Sequence, residues 1–511
     1  MTAYKKQDAA VAGARFASRG AGTGRWTRAG MALGALVLAS SVACKDSNVP
    51  FYTAPTSISN TPAGIQNAVT GLFAASRQDI GNDVINLSMF ARDIANIQED
   101  NPENAIDGLG LAAIPPSGDL VWDNMYVSIG AAISIISAVP TVVPAYTAQQ
   151  AAAVVGIAQT IEALDLMILA ESRDTLGIPV HAATAGGVGP VYCNKDVWQQ
   201  IVAELDSANN QLQTAGSIPL PVKLPAGFSS VSATAGPSTA AGSFASFNRA
   251  LAAKAGLEYA YAIARNAAGT SPTQFAAGAP DVNALTRADS AATASALYTP
   301  TSLPPEPIGG WTDAPNGVFW DWSAQAGDVV NPLNNQQGIS VTMKTLVADV
   351  DTINDLRYKA KFGPNQFALQ LTQYDSVTVR ALYNAYAATS TPIPIIRSEG
   401  LVLDRAQIQL GLGNFAEATT LINNVHMEVG GFTNPLTIAA NYTAVRDSLM
   451  KEERISTVFE GSNDRVISIR MYDLETIADT TFHNLDLHTT VLPVPSSEVQ
   501  GRGGSYNLTC P

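Results

Sequence analysis

The chain has few of the residues on which enzymes and metal proteins depend. Its 511 residues include only three cysteines and four histidines, and the motifs Walker A, HExxH, GxSxG and CxxC do not occur. These absences argue against the nucleotide, zinc-protease, serine-hydrolase and thiol-redox chemistries that such motifs serve. The glycine-rich stretches 108–113 and 411–416 do not follow predicted strands, so we predict no cofactor.

Two other sets of residues resemble chemical sites, and each also has a plainer interpretation. His483 and His488 flank Asp486, but a zinc site needs a third ligand, and surface histidines fit the pattern as well. Glu171 and Asp174 have the residue types of a glycosidase pair, yet they equally fit solvated charges at a helix end. We therefore predict neither a metal nor an enzyme.

Basic residues are also scarce. The chain has 29 Lys and Arg against 43 Asp and Glu, which gives a net charge of −14. Residues 1–43 hold six basic residues and one acidic residue, so removing them changes the net charge to −19. Such a balance argues against nucleic acid as a partner, and against a polybasic membrane patch.

Long apolar runs are missing as well, and the clearest short one lies near the N-terminus. It covers Ala29–Val42, follows a basic segment and is succeeded by Ala43 and Cys44. The run is shorter than the roughly 20 residues that span a bilayer, so it predicts a cleaved secretory signal. A cysteine at this place is typical of a bacterial lipoprotein, lipidated on Cys44; an ordinary signal with a chance cysteine is the alternative. We expect no stretch after Cys44 to be long and apolar enough to span a bilayer.

The rest of the chain has the composition of a helical globular protein with a large core. It is 46% hydrophobic and 14% charged, and many stretches are rich in alanine. Helical spacing predicts helices from about 61, over 122–138, 148–172, 196–213, 244–265, 376–388, 397–412, 415–427 and 440–456. Loops are predicted over 92–120, 214–243 and 266–340, and short strands and loops from about 464.

Paired helices with short turns predict a mostly α fold, a tetratricopeptide-like (α-solenoid) scaffold with long irregular loops and a few short strands. We divide the chain into five parts. They are a signal peptide (1–43), a lipidated tether (44–60), an N-terminal helical scaffold (61–265), a loop-rich insertion carrying the ligand face (266–375), and C-terminal helical pairs with a tail (376–511).

The best ligand candidate is the segment 309–325, GGWTDAPNGVFWDWSAQ. Three of the six tryptophans fall within it, beside acidic and amide side chains. Flat sugar faces stack on aromatic rings, while carboxylates and amides bind hydroxyl groups. The candidate residues are Trp311, Asp313, Asn316, Phe319, Trp320, Asp321 and Trp322. The alternative is a loop that its aromatic residues anchor to the scaffold; Trp122 and Trp198 are predicted core residues.

Charged residues and cysteines in the C-terminal part suggest structural links. Arg397, Glu399, Arg454 and Glu460 lie in apolar surroundings, where buried charges need partners, so we predict structural ion pairs rather than direct ligand contacts. In an oxidising compartment Cys193 and Cys510 could form a disulfide that ties the tail to the body, and two separate thiols are the alternative.

Several segments resemble the SusD/RagB family of outer-membrane nutrient-binding lipoproteins. The C-terminal matches are Ile396–Glu399 at a helix start, Gly413–Ala418, Asn423, Glu453-Arg454 and Phe459–Gly461. Further segments match in the order that the family has them: 68–75, 122–133, 163–180, 197–208, 249–262 and 492–499. This chain differs from the family at two places. The family's usual Phe-Glu-Gly-x-Arg motif is interrupted, because the first arginine after Gly461 is Arg465, and a different sequence replaces the usual closing tail.

The resemblance implies a lipid-anchored binding protein on the outer membrane, exposed at the cell surface. Such a protein captures an oligosaccharide or peptide and passes it to a TonB-dependent outer-membrane β-barrel of the SusC type. A scaffold or assembly lipoprotein that uses its helix pairs for protein contacts is the alternative.

Overall fold

The structure is a computed structural model of the chain, and it describes most residues between 58 and 506. The described ranges are 58–91, 93–96, 116–142, 144–180, 189–268, 280–304, 317–322, 329–336, 340–342, 346, 349–362, 373–374, 377–378, 385–386, 388–461, 464–472, 491–503 and 506. All belong to one unit, Pro50–Pro511. The predicted signal peptide, Cys44 and most of the tether lie outside the described residues, and the predicted domain boundaries stay predictions.

The first part of the chain folds into a series of long helices. They are α1 (Pro62–Ser76), α2 (Ile80–Phe90), α3 (Pro116–Ala138), α4 (Ala148–Arg173), α5 (Asn194–Ala215), α6 (Phe244–Ala268) and α7 (Val282–Ala294). Two of them begin with local side-chain caps: the Thr61 side chain accepts from the Gly64 amide before α1, and Thr147 and Gln150 form a capping box before α4. α2 and α7 were not predicted, and α7 lies within a region expected to be irregular.

Two stretches of these helices are long and apolar enough to cross a membrane by length and composition, Val121–Val142 and Ala148–Leu176. This corrects the expectation that no such helix follows Cys44. In the second stretch, 83% of the most apolar window is buried, because α4 packs between α3 and α5. A helix that is covered on nearly every side needs apolar residues all round, which explains its lack of a polar face.

The C-terminal part adds α8 (Leu356–Phe362), α9 (Ser398–Gly411), α10 (Phe415–Glu428), α11 (Tyr442–Thr457), α12 (Asp464–Met471) and α13 (Ser496–Gly501). α9, α10 and α11 match the prediction. The predicted helix over 376–388 is wrong at 377–378, which form a strand. The strands expected after 464 are wrong at α12, because its apolar residues pack against α11 and α2 and tertiary contacts outweigh local alternation.

Strands are few and short among the described residues, and they form antiparallel pairs. The pairs are β1 (Ile94–Asn96) with β5 (Ser340–Thr342), β2 (Ile178–Pro179) with β3 (Val191–Tyr192), β4 (Gly317–Trp320) with β8 (Ile393–Arg397), and β6 (Gln373–Tyr374) with β7 (Val377–Thr378). In the third pair Gly317 lies opposite Arg397 and Trp320 opposite Ile393. Since β8 runs directly into α9, it fixes β4 to the start of the C-terminal helices.

Successive helices pack on one another along the chain. α3 contacts α4, α4 contacts α5, and the series continues through α6 and α7 to α9, α10 and α11. One hydrophobic core lies within α1–α6 together with β4 and β8, and a second lies among α6, α7 and α9–α12. The predicted fold class, a mostly helical scaffold of packed helix pairs, is confirmed.

Candidate functional site

A cavity of about 360 Å³ lies between α1, the segment 223–228 and the end of β4. It is lined by Gln66, Thr70 and Phe73 of α1 and by Arg77, the residue that caps the end of this helix. Their spacing of four, three and four residues places them on one face of the helix. One helix face therefore supplies a whole wall, with a polar residue at each end and an aromatic ring between them.

The opposite wall is attached to α1 through the side chain of Gln66. Its Oε1 accepts a hydrogen bond from the Lys223 amide at 2.7 Å, and its Nε2 donates to the Lys223 carbonyl oxygen at 3.1 Å. The hydroxyl of Thr70 lies 3.2 Å from the same Nε2, and Pro225 restricts the backbone two residues further on. The main chain that carries Lys223 is thus fixed relative to α1.

Aromatic rings form the base of the cavity. Phe73 meets Phe228 edge to face, with ring centroids 4.7 Å apart, and Phe228 packs in turn on Phe244 and Phe247. Trp320 also borders the cavity, although only 3% of it is exposed. A ligand would therefore touch a small part of each ring, on a base that tight aromatic packing keeps apolar and rigid.

Arg77 joins the α1 wall to β4. Its guanidinium donates a hydrogen bond to the main-chain oxygen of Asp321 and lies 5.8 Å from the centre of the Trp322 ring. Both contacts hold the cation at the rim of the cavity, beside the half-buried Asp321.

Only some residues of the predicted ligand segment lie at the cavity. Trp320 and Asp321 line the cavity. Phe319 and Trp322 are 1% and 4% exposed and are not among its described lining residues, a placement that supports the alternative of an anchored loop. Trp311, Asp313 and Asn316 lie outside the described residues.

Two glycines allow other segments to approach β4 closely. A Cβ atom on Gly227 would lie 2.1 Å from the Phe319 carbonyl oxygen, and one on Gly461 would lie 2.3 Å from Cζ3 of Trp320. Real Cβ contacts are never so short, so both positions require glycine. The glycine of the Phe459–Gly461 motif therefore serves to seat Trp320.

The predicted ion pairs separate into two clusters. In the first, Arg397 contacts Glu399 at 2.5 Å and Glu460 at 2.6 Å, and the fully buried Lys361 contacts Glu460 at 2.7 Å. Lys361 also donates to main-chain oxygens at the end of α11, among them that of Ser456 at 2.6 Å. None of these residues lines the cavity.

Arg454 belongs to the second cluster. It contacts Asp93 at 2.5 Å and Asp349 at 2.7 Å. Burial, partly offset by Arg454, raises the pKa of Asp93. Asp93 and Asp349 were not predicted, since both lie more than 100 residues away in sequence.

Other candidates from the sequence lie in structural positions. Glu171 contacts Lys254 at 3.0 Å, and Asp174 contacts Arg265 at 2.9 Å. Trp122 and Trp198 are 1% and 2% exposed. Within the part of the chain that the structure describes, no group of three or more His, Cys, Asp or Glu side chains could hold a metal; His483 and His488 lie outside it.

Cys193 is disulfide-bonded, and its predicted partner Cys510 lies outside the described residues. The tail approaches this place: Arg502 donates to the Gly189 carbonyl at 2.8 Å, and the Tyr506 hydroxyl donates to that of Gly177 at 3.0 Å. Gly177 adjoins β2, which pairs with β3 just before Cys193. The pairing of Cys193 with Cys510 stays a prediction, which non-reducing peptide mapping would check.

Sequence reasoning missed the α1 wall and the segment 223–228. One signal was present: Arg77 is the first charge after the uncharged residues 47–76, and Lys223 is the only charged residue in 207–248. Phe228 is likewise an aromatic residue inside a Ser- and Gly-rich region. Nothing local shows that these stretches meet β4.

No protein-family model matches the chain, and no curated protein matches it. Solved structures do. A SusD homolog from Bacteroides thetaiotaomicron matches with a TM-score of 0.64 and 13% identity, over 87% of this chain and 96% of that one. A SusD-like carbohydrate binding protein from Bacteroides vulgatus matches with a TM-score of 0.57 and 12% identity, over 80% and 83%. A SusD superfamily protein from Bacteroides fragilis matches with a TM-score of 0.55 and 16% identity, over 82% and 90%.

These similarities define the class of the fold. The chain has the helical fold of SusD superfamily proteins over most of its length, and the resemblance stated from the sequence is confirmed at that level. At 12–16% identity the likeness shows the fold alone.

Proposed function

We propose that the protein is a carbohydrate-binding protein that captures an oligosaccharide in the cavity between α1, the segment 223–228 and β4. The observation that carries the proposal is the cavity itself, with its aromatic base and its rim of Gln66, Thr70, Arg77 and Asp321. Apolar surface suits the carbon faces of a sugar ring, while amide, hydroxyl and charged groups suit its hydroxyls. The fold supports the proposal, because a protein that shares it is described as carbohydrate binding.

The proposed action is binding and release, without a chemical step. A binding protein delivers its ligand when a second state of the complex binds that ligand less tightly. We propose that this second state forms with a TonB-dependent outer-membrane β-barrel, which receives the glycan. The lipoprotein pattern at Cys44 supports a location on the outer membrane, where such a barrel is within reach.

Calorimetric titration of the soluble chain, expressed from residue 45, with a panel of oligosaccharides tests the capture step. Thr70→Trp fills the cavity and should weaken the affinity at least tenfold. Thr286→Trp is the matched control, since both threonines are exposed on a helix and bond the carbonyl four residues earlier. Equal affinity in the two variants, or no saturable binding by the wild type, contradicts the proposed site.

Affinity purification of the tagged, lipidated protein from its native membrane tests the delivery step. We expect a stoichiometric β-barrel partner, and we expect Cys44→Ala to release the protein from the membrane fraction. Recovery with soluble partners only would support the scaffold lipoprotein instead. Continued membrane attachment of the Cys44→Ala protein would contradict the lipid anchor.

A further inference from the structure

The cavity differs in charge from the rest of the chain. The protein carries 43 acidic residues against 29 basic ones, yet the described lining includes two cations, Arg77 and Lys223, and one carboxylate, Asp321. The stretches that form two of its walls add no acid, because residues 47–76 are uncharged and Lys223 is the only charge within 207–248. A local excess of positive charge thus sits on a protein that is acidic overall.

Lys223 is placed so that its charge can act on a ligand. Its side chain is exposed, and it forms no ion pair with any residue that the structure describes. Its main chain is fixed by the two hydrogen bonds to Gln66, at 2.7 and 3.1 Å. The main chain of Lys223 is therefore held at the cavity, and no carboxylate among the described residues pairs with its ammonium group.

Arg77 contributes a second cation from the opposite wall. Its contacts with the Asp321 main chain and the Trp322 ring keep the guanidinium at the rim. Asp321 is the one carboxylate among the described lining residues. A guanidinium and an ammonium along the cavity rim favour oxyanion groups on a bound ligand.

We infer that the cavity prefers glycans that carry anionic groups, either the carboxylates of uronic acids or sulfate esters. This inference rests on the proposed function and narrows its ligand class. The two anions have the same recognition chemistry, so the experiment separates them. A unit charge about 5 Å from one cation in a water-exposed site should raise affinity roughly fourfold, and a glycan with an anionic group near each cation should gain more than about tenfold, the product of the two effects.

Matched ligands test the preference directly. The soluble chain is titrated calorimetrically with oligogalacturonate and its methyl ester, with sulfated and desulfated galactan oligosaccharides, and with neutral gluco- and xylo-oligosaccharides. We expect an anionic form to bind about tenfold more tightly than its neutral counterpart at low salt. The difference should shrink as salt rises, because exposed charges are screened.

Charge-changing variants locate the preference. Lys223→Gln should reduce the anionic-to-neutral affinity ratio about fourfold, and Lys223→Glu should reduce it further. Lys195→Gln is the matched control, since Lys195 is a partly exposed lysine that does not line the cavity; it should keep the wild-type ratio. Because Lys223 is exposed, thermal unfolding curves should coincide for all of these proteins.

The outcomes distinguish this inference from the function on which it rests. Equal affinity for anionic and neutral partners, or tighter binding of the neutral form, would overturn the anionic preference. A preference that survives Lys223→Glu would overturn its assignment to this cavity. Either result leaves carbohydrate binding intact. Binding of no glycan in any form would overturn the proposed function and this inference with it. Preference for only the carboxylate or only the sulfate identifies which anion the cavity takes.

Discussion

Asp165 and Glu452 are both buried carboxylates, but the two halves of the molecule surround them differently. Asp165 in α4 accepts a 2.5 Å hydrogen bond from Ser76 of α1 and faces Ser128 of α3. Glu452 in α11 lies 2.7 Å from the Arg357 guanidinium and 2.9 Å from Nδ1 of His426. Hydroxyls thus hold the first carboxylate, and a cation holds the second.

The pKa values of the two groups move in opposite directions. Burial raises the pKa of Asp165 to about 7, and the hydrogen bonds from Ser128 and Ser76 only partly offset it. Burial acts on Glu452 in the same sense, but Arg357 and His426 outweigh it and lower the pKa. Since burial is common to both, the partner decides whether a carboxylate is kept neutral or charged.

Removing a cation from the C-terminal region should have the largest effect. Lys361 is fully buried between Glu460 and three carbonyl oxygens at the end of α11. Lys361→Met should lower the free energy of unfolding by about 3–5 kcal/mol, because these groups lose their partner. Urea unfolding followed by circular dichroism measures the loss. Lys359→Met on the same helix is the control, and an equal loss there would show that the ion pairs are unimportant.

The N-terminal carboxylate should respond to pH in a way that few surface acids do. Asp165 has an unfolded pKa of about 3.9 and a folded pKa of about 7, so its contribution to stability is complete below pH 4 and is lost as pH rises through 7. Asp165→Asn removes this loss. Relative to the variant, the free energy of unfolding of the wild type should fall by about 2–3 kcal/mol between pH 5 and 8.

Urea midpoints across that pH range provide the measurement for Asp165. The control is Asp447→Asn, at a side chain that is 52% exposed in α11, and its profile should parallel that of the wild type. Parallel profiles for Asp165→Asn and the wild type would mean that the hydroxyl groups keep Asp165 charged.

Glu452→Gln should show the opposite pH dependence. Its folded pKa is lowered, so its contribution is present above the unfolded pKa of about 4.3 and is lost as pH falls through the folded value. The substitution should lower the free energy of unfolding by about 2 kcal/mol at pH 7, the usual contribution of a hydrogen bond to a charged group. The loss should become smaller as the pH falls. A loss that is equal at pH 7 and pH 4 would contradict the role assigned to Arg357.

The smallest effect should come from the contact that joins the two regions. Gly461 follows the ion-paired Glu460 and lies against Trp320 at the cavity base. Gly461→Ala should lower the free energy of unfolding by about 1–2 kcal/mol and weaken glycan binding, because the new methyl group displaces the Trp320 ring. Gly71→Ala on α1 is the control, since nothing lies within 4 Å of its added Cβ. Unchanged binding in Gly461→Ala would separate the cavity from the charged clusters.

Local sequence patterns predicted the long helices well and the short elements poorly. α4, α5 and α9 carry the helical spacing that fixes their position in the sequence, and α4 also begins with a capping box. α2 and α12 were missed or wrongly predicted, because their stability comes from packing on distant helices rather than from their own residues. The ligand segment was predicted in one piece, whereas burial divides it between Trp320 and Asp321 at the cavity and Phe319 and Trp322 in the core.

The sequence by itself determined the helical class, the resemblance to SusD-like proteins and the need for buried charges to find partners, since composition, spacing and the cost of burying a charge are local properties. Only the tertiary structure decided three features: the partners of Arg454, the opposite directions in which the pKa values of Asp165 and Glu452 are shifted, and the position of Arg77, Lys223 and Asp321 around one cavity. Those results depend on which distant segments lie within a few ångströms of each other, and a local sequence pattern carries no information about such distances.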